Sequence, residues 1–149
     1  MDASNNSEMK RINKTLLISW LAIIIMLLVA YFAEFIKNER TIEYIIEFSL
    51  SMLLPYLVTF FIYRKNKSWE KLGYIVVVGY TFMYTFVMFT GATQMVSVYI
   101  LPLLSFLILY HKLGMIIFSF LITMSVNIAS LIYQLEQNSI TVSNSKDVE

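Results

Sequence analysis

The chain contains no cysteine, a single histidine, four glycines and two prolines in 149 residues. Without cysteine it can form no disulfide and offers no thiolate nucleophile and no thiolate cluster for iron–sulfur or structural zinc. His111, beside Lys112, can supply neither a His-based metal site nor a Ser/His/Asp set. Charge is scarce too: 14% of residues are charged, against roughly a quarter in a soluble domain. The balance of 11 basic and 10 acidic residues excludes a polybasic nucleic-acid binder and a disordered acidic tail. No HExxH, phosphate-cradling glycine loop or magnesium-binding Asp cluster occurs. The chain therefore reads as a non-enzyme with no catalytic residue, cofactor or metal.

What is present is apolar surface. Hydrophobic residues make up 58% of the sequence, and mean hydropathy is +0.70. A helix needs about 20 apolar residues to cross a hydrocarbon core of roughly 30 Å. Thr15 to Ala33 is uncharged and extends to Ile36, and Thr41 to Tyr63 lies between Arg40 and Arg64. Leu72 to Tyr110 runs for 39 residues without a formal charge, which as one helix would measure about 58 Å, so it must fold back. Thr90-Gly91-Ala92-Thr93-Gln94 is its only central punctuation and predicts a tight turn there. Leu113 to Leu135 completes the set.

The expected fold is all-α, a polytopic membrane bundle with five transmembrane helices near 15–36, 42–63, 72–90, 95–110 and 113–134. Residues 1–14 are expected to form a cytoplasmic segment, and 135–149 an external polar tail, unfolded by itself. The first span is too long for a removable signal peptide and lacks its cleavage site. Pro55 and Pro102 should each break a backbone hydrogen bond and kink their spans. Trp20, Tyr31, Tyr63 and Trp69 fall near the expected interfaces, where amphipathic rings belong. Asparagine acceptor patterns at Asn5, Asn13 and Asn66 fall on the cytoplasmic side, where they carry no meaning.

Three groups of residues are candidates for function. Glu34 ends the first span, while Glu43 and Glu47 lie four apart on one face of the second. For Glu34 and Glu43 the leading reading is interfacial solvation and pairing with Lys37 and Arg40. The alternative is an outer vestibule sensing a cation, polar ligand or pH, and for Glu47, more than a turn inside its span, the two readings stand level. Tyr84 and Thr85, on a face with Tyr80, Thr81 and Met88, are candidate lining of a pocket open to the outside; packing is the competing role. Ser119, Thr123, Asn127 and Ser130 form one polar stripe on the fifth helix. Such a stripe packs helices, each bond contributing about 0.6 kcal/mol, with a ligand or ion path as the alternative.

Several short motifs point to a family. Lys14-Thr15-Leu16-Leu17-Ile18-Ser19-Trp20 opens the first span, Arg64-Lys65-Asn66-Lys67 forms a basic loop, and Phe89-Thr90-Gly91 precedes Tyr99-Ile100-Leu101-Pro102 and Leu109-Tyr110-His111. From Lys10 to Gln134 this resembles the multi-span N-terminal membrane region of bacterial methyl-accepting chemotaxis proteins of the Firmicutes. The resemblance implies a receptor input module in a bacterial plasma membrane, truncated or split before the cytoplasmic signalling hairpin that such proteins carry. It transfers no ligand residue. The expected partners are the bilayer, a small ligand at the outer face, and a second copy or other membrane helices. A small transporter subunit and an accessory membrane protein are the alternatives.

Orientation follows from basic loops, which resist translocation. Lys10, Arg11, Lys14, Arg64, Lys65, Lys67, Lys71 and Lys112 fall on one side, and only Lys37, Arg40 and Lys146 on the other. The N-terminus should therefore be cytoplasmic and the tail external. Alkaline phosphatase fused after Glu149 is expected to be active and green fluorescent protein there dark; the reverse would exclude a five-span topology.

Overall fold

The computed structural model describes residues 3–90, 99–110 and 112–146, with side chains over 6–90, 99–110 and 112–136. These residues form five helices: α1 (Ala3–Ile36), α2 (Ile42–Lys65), α3 (Leu72–Thr90), α4 (Leu101–Tyr110) and α5 (Leu113–Lys146). Four of them, all but α4, are long and apolar enough to cross a membrane.

Local chemistry sets most of the boundaries. No glycine or proline precedes Pro55, so nothing interrupts α1 before Asn38, which takes a left-handed φ of 57°. Around it Glu39 N–H donates to Glu34 O at 3.0 Å and Asn38 N–H to Phe35 O at 2.9 Å, the paired bonds of a Schellman cap. Thr41 then opens α2, its hydroxyl accepting from Tyr44 N–H at 3.3 Å. Arg64 and Lys65 close it, their charge favourable at the negative end of the helix dipole.

α3 is the centre of the bundle. Some 56% of its apolar stretch is buried within the protein, against 28, 22 and 22% for α1, α2 and α5, so the other long helices present most of their surface to lipid. α2 runs against α3, with Pro55 beside Gly79 and Tyr44 beside Phe86. α4 also runs against it, from Tyr99 at Tyr80 to Tyr110 at Gly73. α5 runs parallel, from Met115 at Gly73 to Tyr133 at Phe89. α1 completes the group by packing on α2 and α4. Exposed Ile25, Val29, Leu54, Phe61, Phe120 and Leu131 make up part of the outward apolar surface.

The helix bounds and the burial add to several expectations and change others. Residues 3–14 continue α1, and Met9 and Asn13 within them are buried; a segment that lacks helix breakers and has neighbours to pack on has no reason to leave the helix. The tail is likewise helical as far as Lys146, because no glycine or proline follows Gly114 to stop it. The helix expected over 95–110 is described only from Leu101; Tyr99 and Ile100 form a 3₁₀ turn, while residues 95–98, the turn at Gly91–Gln94, and His111 lie outside the described residues. α4 has ten residues and measures about 15 Å, half a hydrocarbon core. Pro102 sits in its first turn, where the missing N–H breaks no bond. Trp20 and Tyr31 are core residues, 2% and 4% exposed. Trp20 meets Tyr56 edge-on at 5.6 Å, and Tyr31 lies 4.1 Å from the Phe48 ring, because α2 and α4 cover that face of α1.

Gly79 marks a close approach of α1, α2 and α3. A Cβ there would lie 2.8 Å from Pro55 Cβ and 2.9 Å from Trp20 Cη2. At Gly114 the only close atom would be the Tyr74 hydroxyl at 3.3 Å, the movable end of a side chain. Gly79→Leu should therefore cost about 1–3 kcal/mol through overpacking, while Gly114→Ala changes little. Thermal unfolding in detergent measures both, and equal stabilities would contradict the close packing of α1, α2 and α3.

Candidate functional site

Polar side chains gather in three places, each joining helices distant in sequence. At the end bearing the basic loop, Asn13 is fully buried. Its amide donates to the carbonyls of Lys67 at 3.0 Å and Trp69 at 3.1 Å, and its oxygen accepts from the Tyr110 hydroxyl. One side chain thus ties α1, the α2–α3 connection and the end of α4, using three of the four positions an amide offers. The connection is shaped to meet it, since Asn66 Oδ1 turns the chain by accepting from Ser68 N–H at 3.3 Å. Gly73 leaves room for the Tyr110 ring, whose atoms would lie within 3.0 Å of any Cβ there. The nearby Lys112–Glu70 pair at 2.6 Å is more than a third exposed on both sides and contributes little.

At the opposite end an aromatic cluster joins α1, α2, α3 and the start of α4. Tyr44 and Phe48 lie nearly parallel at 6.4 Å, and both contact Tyr31 and Phe86. Arg40 stands 4.4 Å over the Tyr44 ring and pairs with Glu34 at 3.4 Å. Deeper in, the Tyr31 and Tyr99 hydroxyls are 3.3 Å apart, and Tyr80 Oη donates to the Tyr99 carbonyl at 2.7 Å. That carbonyl precedes α4 inside an apolar bundle, where a protein donor must replace water.

The third place is the α3–α5 seam. Tyr84 Oη donates to Asn127 Oδ1 at 2.9 Å, Asn127 Nδ2 donates to Thr123 O at 2.9 Å, and Ser130 lies 3.5 Å from Met88 O. Ser119, Thr123 and Ser130 are buried. An open cavity of about 380 Å³ between α4 and α5 has Ser119, Thr123 and Asn127 in its wall. Another, of about 450 Å³, lies between α1 and α4 against Tyr80 and Tyr99.

The carboxylates do not join these places. Glu34 pairs with Arg40, whereas Glu43 and Glu47 are exposed on α2, with no ion pair among the described residues. No described hydrogen bond links them to Tyr84 or Thr85; Tyr84 bonds Asn127, and Thr85 bonds back to Thr81 O at 2.8 Å. Among the described residues no three His, Asp or Glu side chains converge as metal ligands.

Asn13, Tyr31, Tyr99 and Tyr110 were not identified as site residues in the sequence. A signal for the first two exists: Met9, Asn13, Leu16, Trp20, Ile24, Leu27 and Tyr31 recur at helical spacing and form the covered stripe of α1. No family model, curated protein or solved structure matches the chain.

The two asparagines should differ in effect. Asn13→Leu leaves the buried Tyr110 hydroxyl and two loop carbonyls without their partner and should cost about 2–3 kcal/mol. Asn127→Leu should cost about 0.6–2 kcal/mol. Unfolding of both variants in detergent checks the order; a larger loss at Asn127 would contradict it.

Proposed function

We propose that the chain is the membrane-embedded input module of a sensory receptor of chemoreceptor type in a bacterial cell membrane. In this reading it crosses five times, with α4 supplying the inner part of the fourth crossing and the N-terminus cytoplasmic. The observation that carries the reading is the tethering of α4 at both ends. Tyr99 is held by Tyr31 and Tyr80 toward the outer end, and Tyr110 by Asn13 at the inner end. A short helix held this way moves as a unit, so a displacement near Tyr99 is passed to Asn13 and the basic loop. A stimulus drives it only by favouring one position of α4 over another. The polar groups serve as joints between helices, which suits a module that transmits and does not catalyse.

One observation favours a second reading, a small transporter subunit. α4 begins at the depth of Tyr80, and half-length helices of this kind surround midplane sites in transporters. Such sites usually also need an intramembrane charge, and none lies in the described part of α3, α4 or the apolar part of α5.

The absence of cysteine permits a direct test. Spin labels on the double variant Lys14→Cys/Leu113→Cys, in vesicles, report the separation of α1 from the α4–α5 junction. Adding Tyr31→Phe or Tyr99→Phe at the far end should shift or broaden that distance distribution. An unchanged distribution in both variants would overturn the input-module reading, and uptake of solute into the vesicles would favour the second.

A further inference from the structure

The described residues include seven buried polar side chains: Asn13, Ser51, Thr59, Thr81, Ser119, Thr123 and Ser130. Five are partnered. Asn13 holds its joint, Ser51 donates to Phe48 O, Thr59 to Pro55 O, Thr81 to Val77 O, and Ser130 meets Met88 O. The hydroxyls of Ser119 and Thr123, 1% and 5% exposed as residues, have no hydrogen-bond partner among the described residues. Both lie in the wall of the same cavity of about 380 Å³ between α4 and α5. Thr59 and Thr81 show the usual resolution, a bond to the carbonyl four residues back. For Thr123 that carbonyl belongs to Ser119, and the bond is not made.

The rest of the wall fixes the kind of molecule that would satisfy these groups. Leu103, Leu107 and Phe120 are apolar, and among the described residues no charged side chain lines the space. Asn127 beside them still has one N–H and one acceptor position unused after its bonds to Tyr84 and Thr123. Leu104, Phe120 and Met124 at the rim are exposed on the surface of helices that face lipid, so entry is lateral. Ser119 and Thr123 lie about 9 and 15 Å along α5 from Leu113, within the hydrocarbon and below the depth of lipid headgroups. The volume falls in the range of small-molecule pockets.

We propose that this cavity is a binding site for a neutral medium-chain alcohol or ketone taken from the bilayer, its oxygen bonded to Ser119 and Thr123 and its apolar body against α4. A charged headgroup is excluded by the lack of a counter-charge, and a plain hydrocarbon would leave both hydroxyls unpaired. The site is independent of whether the bundle reports to a receptor. Binding is therefore read by labelling, which can succeed or fail whatever the result of the spin-label experiment.

The test uses a diazirine-bearing octanol with the full chain in phosphatidylcholine vesicles, the labelled peptides being mapped by mass spectrometry. Label is expected on the segments 100–107 and 116–127, displaced by excess octanol but not by octane or octanoate. Ser119→Ala/Thr123→Val removes hydroxyls that hold no bond, so the double variant should unfold at the same temperature while specific labelling falls about two- to tenfold. Leu107→Trp, which fills the cavity from α4, should abolish it. Label spread evenly over the lipid-facing helices, equal displacement by octane, or labelling unchanged in the double variant and in Leu107→Trp would each overturn the proposal.

Discussion

Helix α4, about half as long as a hydrocarbon core is thick, is tied to its neighbours by side-chain hydrogen bonds at both ends, and those ties govern the arrangement around it. Tyr80 serves the Tyr99 carbonyl at one end, and the Tyr110 hydroxyl reaches Asn13 at the other. Those bonds require α3 to lie alongside α4 and α1 to extend far enough for Asn13 to be buried. They also require the α2–α3 connection to turn its carbonyls inward. The central position of α3 and the continuation of α1 through the basic N-terminal residues both follow from that geometry.

The small residues of α3 make the arrangement possible. Gly79 admits Pro55 and Trp20, and Gly73 admits Tyr110 and Met115, so four neighbouring helices reach close to the axis of one. Their packing leaves α1, α2 and α5 with broad outward apolar faces, as a bundle dissolved in lipid needs. It also leaves a gap between α4 and α5, where the Ser119 and Thr123 hydroxyls have no hydrogen-bond partner among the described residues. Joints at both ends of α4 and a cavity along its side put this helix between the polar features of the molecule.

Much of the fold was legible in the sequence because hydropathy measures the main cost of placing a segment in lipid. The positions of α3 and the apolar part of α5 follow from charge-free length, that of α2 from an apolar run bounded by Arg40 and Arg64 with Glu43 and Glu47 near its start, and the polar stripe on α5 from its spacing alone. The reach of α1 to Ala3 and of α5 to Lys146 was not, since polar segments say little about structure until their neighbours are known. Nor was the short α4, because a 39-residue apolar run carries no mark of where within it helix begins. Asn13 was hidden for another reason: the one pattern around it is an acceptor sequence without meaning on the cytoplasmic side, whereas its place on the covered stripe of α1 decides its role. Tyr31 and Trp20 look like interfacial rings by position alone, and only the cover supplied by α2 and α4 makes them core.

In the proposed module α4 is a rigid link between the Tyr31–Tyr99 contact and the Asn13–Tyr110 joint, which lie about 16 Å apart along it. A double-mutant cycle on Tyr31→Phe and Tyr110→Phe, followed by unfolding in detergent, measures that link directly. Residues this far apart with no shared partner ordinarily give additive effects. A rigid α4 should give a coupling energy of at least about 0.5 kcal/mol, because loosening one end removes support from the other. Additivity within about 0.3 kcal/mol would contradict it.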